Sequence, residues 1–185
     1  MEGFVLSLQF SDEEFPLLQD VSTLLYDLTL THDFGALLTS YERPYYSFGT
    51  TFWYRNGRPV PRAEKIRAAR VVKESPLLLE VVIPSLGALW ILLQILEKVA
   101  DRPLVREKLE REVTKLRRED AIHRKTVSDM HVDFLRRIEN DPAALRIAER
   151  LEQRLRRNPI KLVAADITTM PPAANDEESE ARDEF

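Results

Sequence analysis

The sequence predicts an α+β fold: a small β-α-β-β N-terminal layer followed by a long apolar helix and amphipathic helices. Three observations carry it. Phe4, Leu6, Leu8 and Phe10 alternate along one face, the pattern of a half-buried strand. Leu17, Leu18, Val21, Leu24, Leu25 and Leu28 then recur at helical spacing. A nearly unbroken apolar run follows from Leu77 to Leu96. With 185 residues and 44% hydrophobic composition, the chain can bury one sizeable core and still carry an extension.

The elements read in order as follows. A strand covers 4–10. Ser11, Asp12, Glu13 and Glu14 offer N-cap and first-turn chemistry to a helix over about 15–31, which His32-Asp33-Phe34-Gly35 ends. Thr and aromatic residues over 47–55 favour a second strand, and Asn56-Gly57 is a strong hairpin signal. Pro59 and Pro61 cannot donate to a ladder, so the return strand is placed over 65–73. Ser75-Pro76 reads as a helix start, and a helix from Pro76 to Leu96 would be about 31 Å long. A charged helix starts near 104, and Asp141-Pro142 opens a last one with Leu145, Ala148, Leu151 and Leu155 inward. Ile160 to Val163 reads either as a short strand or as a packed tail. The acidic residues from Asp176 to Glu180 read as a disordered tail. The divisions are thus an α+β domain at 1–74, an apolar helix at 75–100, a charged amphipathic helical region at 101–160 and a flexible acidic tail at 161–185.

The net charge of −4 hides a segregation. Residues 1–42 carry eight acids and no Lys or Arg, whereas 43–74 carry eight bases against two acids. Residues 102–161 are again basic, and 162–185 are acidic. The balance excludes a strongly basic nucleic-acid protein and a wholly acidic disordered one. Cysteine is absent, which excludes a disulfide scaffold, a Cys-ligated zinc site and a thiol nucleophile. The N-terminus lacks the basic and apolar regions of a secretory signal, so a cytoplasmic location is expected, with membrane association as an option.

Two features are candidates for binding. Seven of the 15 aromatics fall between Tyr41 and Tyr54, interleaved with arginines. Tyr45, Tyr46, Trp53, Tyr54, Arg55 and Arg58 are the candidate partner-binding residues. Such a set suits a protein hot spot, stacked bases or a membrane interface. The second is a narrow stripe on the apolar helix: Glu80, Pro84, Gly87, Gln94 and Lys98, spaced for helix association. A helix so apolar must be covered by its own fold, by an oligomer or by lipid. Only three other helices are available, so an isolated monomer is expected to expose apolar surface. Basic doublets on the later helices suit an anionic surface, with the acidic tail as a possible intramolecular counter-charge.

No phosphate-binding glycine loop or nucleophile elbow is present. His123 and His131 lack the spacing of a helical zinc pair, and His32-Asp33 suits a helix end. No catalytic residues, cofactor or metal are therefore expected. The acidic helix, the aromatic hairpin, the strand ending in Glu74-Ser75-Pro76-Leu77 and the apolar helix, over residues 4–100, resemble small uncharacterised actinobacterial proteins. That resemblance implies a bacterial source and no activity. The reading is a non-enzymatic interaction or assembly protein, whose partner is a second copy, another protein or an anionic membrane. The alternative is a nucleic-acid-binding protein using the aromatic-Arg hairpin and the basic helices.

Overall fold

The computed structural model describes residues 3–11, 17–40, 46–72, 77–100, 102–118, 129, 136 and 140–169. Four strands form one antiparallel sheet: β1 (Phe4–Ser11), β2 (Arg67–Val72), β3 (Leu77–Ile83) and β4 (Lys161–Thr169). Their spatial order is β2-β3-β1-β4. Among the described residues, these helices accompany them: α1 (Leu18–Leu38), α2 (Leu86–Val99), α3 (Pro103–Arg118) and α4 (Pro142–Arg157). The fold is mixed α and β. The return strand expected over 65–73 forms as β2, but the strand expected over 47–55 does not, and β3 comes from the stretch read as helix.

The sheet is organised by period-two burial. Phe4, Leu6, Leu8 and Phe10 of β1 are buried, as are Leu77, Leu79, Val81 and Ile83 of β3. The pairs Leu6 with Val81 and Leu8 with Leu79 put these residues side by side. β4 covers the other edge of β1 and adds Leu162 and Ala165 to the same core. A register shift between Gln9 and Phe10 interrupts that ladder.

The apolar run divides into two elements, contrary to the single helix expected over 76–96. Residues 77–83 form β3, because the alternating positions face the core and Val81, Val82 and Ile83 favour extended backbone. The chain then turns at Pro84, and Ser85 caps α2 by accepting a hydrogen bond from the Ala88 amide (3.3 Å). At 14 residues, α2 is about 21 Å long. Among the described residues, no helix is long and apolar enough to cross a membrane. Nine α2 residues, including Trp90 and Leu93, are buried against β3, α1, α3 and α4. The expected exposure of this helix is therefore overturned: the sheet and three helices cover it within one chain.

α1 is longer than expected. It runs through His32-Asp33-Phe34-Gly35 to Leu38, and this second half is its most buried part. Gly35 serves as a contact point, not as a stop. A Cβ there would lie 2.9 Å from Ile91 Cβ and 3.1 Å from Ala88 Cα on α2. On the facing helix, a Cβ at Gly87 would lie 2.2 Å from Thr39 Oγ1. The two glycines thus let α1 and α2 cross at close range. The N-cap expected for α1 does not form as read: Ser11 belongs to β1, and 12–14 lie outside the described residues.

α4 forms where the sequence places it. Asp141 Oδ1 accepts from the amides of Ala143 (2.9 Å) and Ala144 (3.2 Å), and Pro142 occupies the first turn. Its inward residues are Ala144, Ile147, Leu151 and Leu155, so the buried stripe is rotated and Leu145 is exposed. Arg146 and Arg150 are exposed on its outer side. The flexible tail expected over 161–185 begins later than that: residues 161–169 form β4 because they pair with β1, and residues 170–185, with His123 and His131, lie outside the described residues.

Gly35→Ala adds a methyl group at the helix crossing and should cost about 1–3 kcal/mol, exceeding the roughly 1 kcal/mol gain in helix propensity. Gly49 has no atom within 4 Å of its added Cβ. Gly49→Ala should stay within about 0.5 kcal/mol of the parent. Urea unfolding of the two variants checks the difference.

Candidate functional site

The aromatic segment does not form the expected strand. It folds into three short 3₁₀ turns, Thr50–Trp53, Arg55–Gly57 and Arg62–Glu64. The cause is side-chain anchoring. Phe48 and Phe52 are buried and meet Phe34 of α1 edge-on, at centroid distances of 5.3 and 6.0 Å. Phe52 cannot leave this cluster for a sheet edge, and β2 takes that edge instead. Asn56-Gly57 closes a turn onto Thr51: a Cβ on Gly57 would lie 1.8 Å from the Thr51 carbonyl oxygen. The Tyr46 hydroxyl donates to the Gly57 carbonyl (2.6 Å) and holds that turn. Burial raises the Tyr46 pKa above the usual tyrosine range, partly opposed by nearby Arg58.

Arg58 connects this segment to α1. Its guanidinium is buried; Nε donates to Asp33 Oδ2 (2.9 Å) and Nη1 to the Phe52 carbonyl (2.8 Å). Lys65 Nζ donates to the same Asp33 oxygen (2.9 Å). Asp33 Oδ1 lies 3.4 Å from His32 Nδ1. Burial by itself raises the Asp33 pKa. The hydrogen bonds from His32, Lys65 and Arg58 outweigh it and hold the carboxyl below its ordinary value. Asp33 is therefore an anchored anion and a poor proton acceptor.

A pocket of about 780 Å³ opens beside this cluster, lined by Tyr26, Thr29, Asp33, Arg58, Val60, Arg62 and Lys65. A second ion pair flanks it. Arg154 of α4 donates to Asp27 Oδ1 (2.7 Å), and its guanidinium lies 5.9 Å from the Tyr26 ring centroid. Here burial dominates: it raises the Asp27 pKa, and Arg154 offsets only part of the rise. Asp27 Oδ2 and His32 Nε2 are buried without a hydrogen-bond partner among the described residues. Four residues further back on α4, Arg150 sits over the Trp53 ring at 4.5 Å. The Tyr26 hydroxyl donates to the Trp53 carbonyl (3.4 Å). Tyr54 is 70% exposed next to them.

The candidate partner-binding residues thus separate. Trp53 and Tyr54 contribute to an outer face, whereas Tyr46 and Arg58 hold the interior of the segment. Tyr45 and the Arg55 side chain lie outside the described residues. The proposed helix stripe does not exist as one surface. Glu80 belongs to β3, where the Ser7 hydroxyl donates to its carboxylate (3.4 Å), and Pro84 lies between elements. Gly87 is buried against Thr39; Gln94 is half-buried and Lys98 exposed further along α2. Its spacing required one helix through 80–98, and β3 removes the first turn and a half.

Sequence reasoning missed Tyr26, Asp27, Asp33, Arg62, Lys65, Arg150 and Arg154. A signal existed for two of them: Asp27 and Asp33 punctuate the most apolar stretch of α1. A buried acid requires a cationic partner; the basic segment 43–74 supplies Arg58 and Lys65 to Asp33, and 102–161 supplies Arg154 to Asp27. Which bases they use is not encoded by spacing. Among the described residues, no group of three or more His, Asp or Glu side chains could hold a metal ion. No family model, curated protein or solved structure matches the chain.

Asp33→Asn leaves the buried Arg58 guanidinium without its counter-charge and should cost about 3–5 kcal/mol at pH 7. Because the folded-state pKa of Asp33 is lowered, its contribution is complete above the unfolded value of about 3.9 and disappears as pH falls through the folded value. The stability gap between parent and variant should hold from pH 7 to pH 5 and narrow below pH 4, as read by urea unfolding. The raised pKa of Asp27 acts with the opposite sign, favouring the folded state as pH falls through its titration.

Proposed function

We propose that this chain is a non-enzymatic interaction protein that binds an acidic segment of a partner protein across α4 and the aromatic turns. The observation that carries the reading is the stacking of Arg150 over Trp53 at 4.5 Å, with Tyr54 exposed beside it. The stack covers one flat side of the guanidinium, and its N–H donors, which make no hydrogen bond among the described residues, point outward in their own plane. A carboxylate can then be met in bidentate fashion by a side chain whose rotamer is already set. Arg146 lies one turn away on the same helix and extends the cationic line. Exposed tyrosine, half-buried tryptophan and arginine are also the residue types that dominate protein hot spots.

Two features weigh against other partners. The apolar helix is covered by its own sheet and helices, which removes the reason for a lipid or oligomeric cover. The net charge of −4 opposes the long-range attraction a nucleic-acid backbone requires, and Arg154 is already committed to Asp27. Asp33 is held ionised by three donors, which suits a structural anion better than a general base.

The two tryptophans allow a direct test. Trp90 is fully buried and Trp53 is half-exposed, so a partner on this face should perturb Trp53 fluorescence. A short Asp/Glu-rich peptide containing tyrosine should quench it saturably at low salt. Arg150→Glu should weaken that binding by about tenfold or more, the size of one lost charge-assisted bond. Unchanged affinity in Arg150→Glu would end this reading, as would tighter binding of a single-stranded oligonucleotide than of the peptide.

A further inference from the structure

We infer that the pocket between α1 and the 58–65 turns is a binding site for a small organic phosphate monoester. This site is separate from the Arg150–Trp53 face and stands without it. Three cationic side chains line the pocket, Arg58, Arg62 and Lys65, against a single carboxylate, Asp33. Asp33 already receives Arg58 and Lys65 on one oxygen, so its charge is spent in fixing those two side chains. Two positive charges are left over. A phosphate monoester carries about −1.5 to −2 at neutral pH and matches that surplus, whereas a carboxylate supplies half of it.

The donors are present as well as the charge. Arg58 uses Nε and Nη1 internally and keeps Nη2 free among the described residues. Lys65 uses one of its three ammonium donors on Asp33. The Arg62 side chain is exposed at the mouth and makes no hydrogen bond or ion pair among the described residues. Planar guanidinium forks favour phosphate oxygens over a point contact. The preorganisation by a buried anion means that Arg58 and Lys65 need not be ordered by the ligand itself. The volume, about 780 Å³, is far larger than a phosphate group needs. The remaining walls include the Tyr26 ring and Val60, which suit a flat or apolar body attached to the phosphate.

Isothermal titration of the full chain with phenyl phosphate tests the site, with inorganic phosphate, benzoate and sulfate as controls at matched ionic strength. Phenyl phosphate should bind one-to-one and about tenfold or more tightly than each control. Arg62→Ala, at an exposed position whose side chain has no partner among the described residues, should fold normally and weaken phenyl phosphate about tenfold, one charge-assisted interaction. Trp53→Ala should leave the affinity unchanged, which separates this site from the partner face. Absence of saturable binding at millimolar phenyl phosphate would overturn the inference. So would equal binding of sulfate, or an Arg62→Ala variant that binds as the parent does.

Discussion

The buried carboxylates of α1 are the constraint on which the rest of the structure depends. Asp27 and Asp33 are buried on α1, and neither can remain there as an unpaired charge. Asp33 fixes the path of the 46–66 segment by holding Arg58 and Lys65. Asp27 fixes α4 by holding Arg154. The Arg58–Asp33 and Arg154–Asp27 pairs span 25 and 127 positions of sequence, so they bring two distant segments of the chain against one helix. Part of the segregated charge of the sequence is used, in the folded chain, in long-range ion pairs from Asp27 and Asp33 to Arg58, Lys65 and Arg154.

Around that constraint the packing is conventional in its physics. α1 and α2 approach closely because Gly35 and Gly87 present no side chain where the other helix passes. The close approach lets α2 fill the centre with leucine, isoleucine and Trp90. β4, arriving last in the chain, supplies the strand that β1 lacks on its free side. The long hydrophobic stretch that invites a membrane or oligomer reading is used twice: as a sheet strand and as a central helix. Each use buries it within the same chain.

The proposed partner face and the proposed phosphate pocket arise from the same arrangement. α4 is held by Asp27, which places Arg150 on Trp53, while the 58–65 turns are held by Asp33, which places Arg62 and Lys65 at the pocket. Tyr26 is shared: its ring lines the pocket and lies near Arg154, and its hydroxyl meets the Trp53 backbone. Both sites therefore rest on α1 as a rigid support, the condition under which arginines can be oriented before a ligand arrives.

Local chemistry made part of this legible in the sequence. The alternation in β1, the Asp141-Pro142 start of α4 and the apolar spacing of α1 each specify an element through interactions within a few residues. The aromatic–arginine density between 41 and 62 singled out a segment as a surface for partners, but Arg58, read there as a surface contact, is an interior one. Three features were decided only by the tertiary structure. A run of apolar residues satisfies strand and helix alike, so the division of 77–99 depended on which neighbours needed covering. Asn56-Gly57 could close a hairpin or a shorter turn, and the burial of Phe48 and Phe52 against Phe34 selected the turn. The cations that meet Asp27 and Asp33 were chosen by packing across the chain. Sequence determined that α1 carries acids needing partners; only the fold, by bringing segments from 25 and 127 residues away against one helix, decided which bases those partners are.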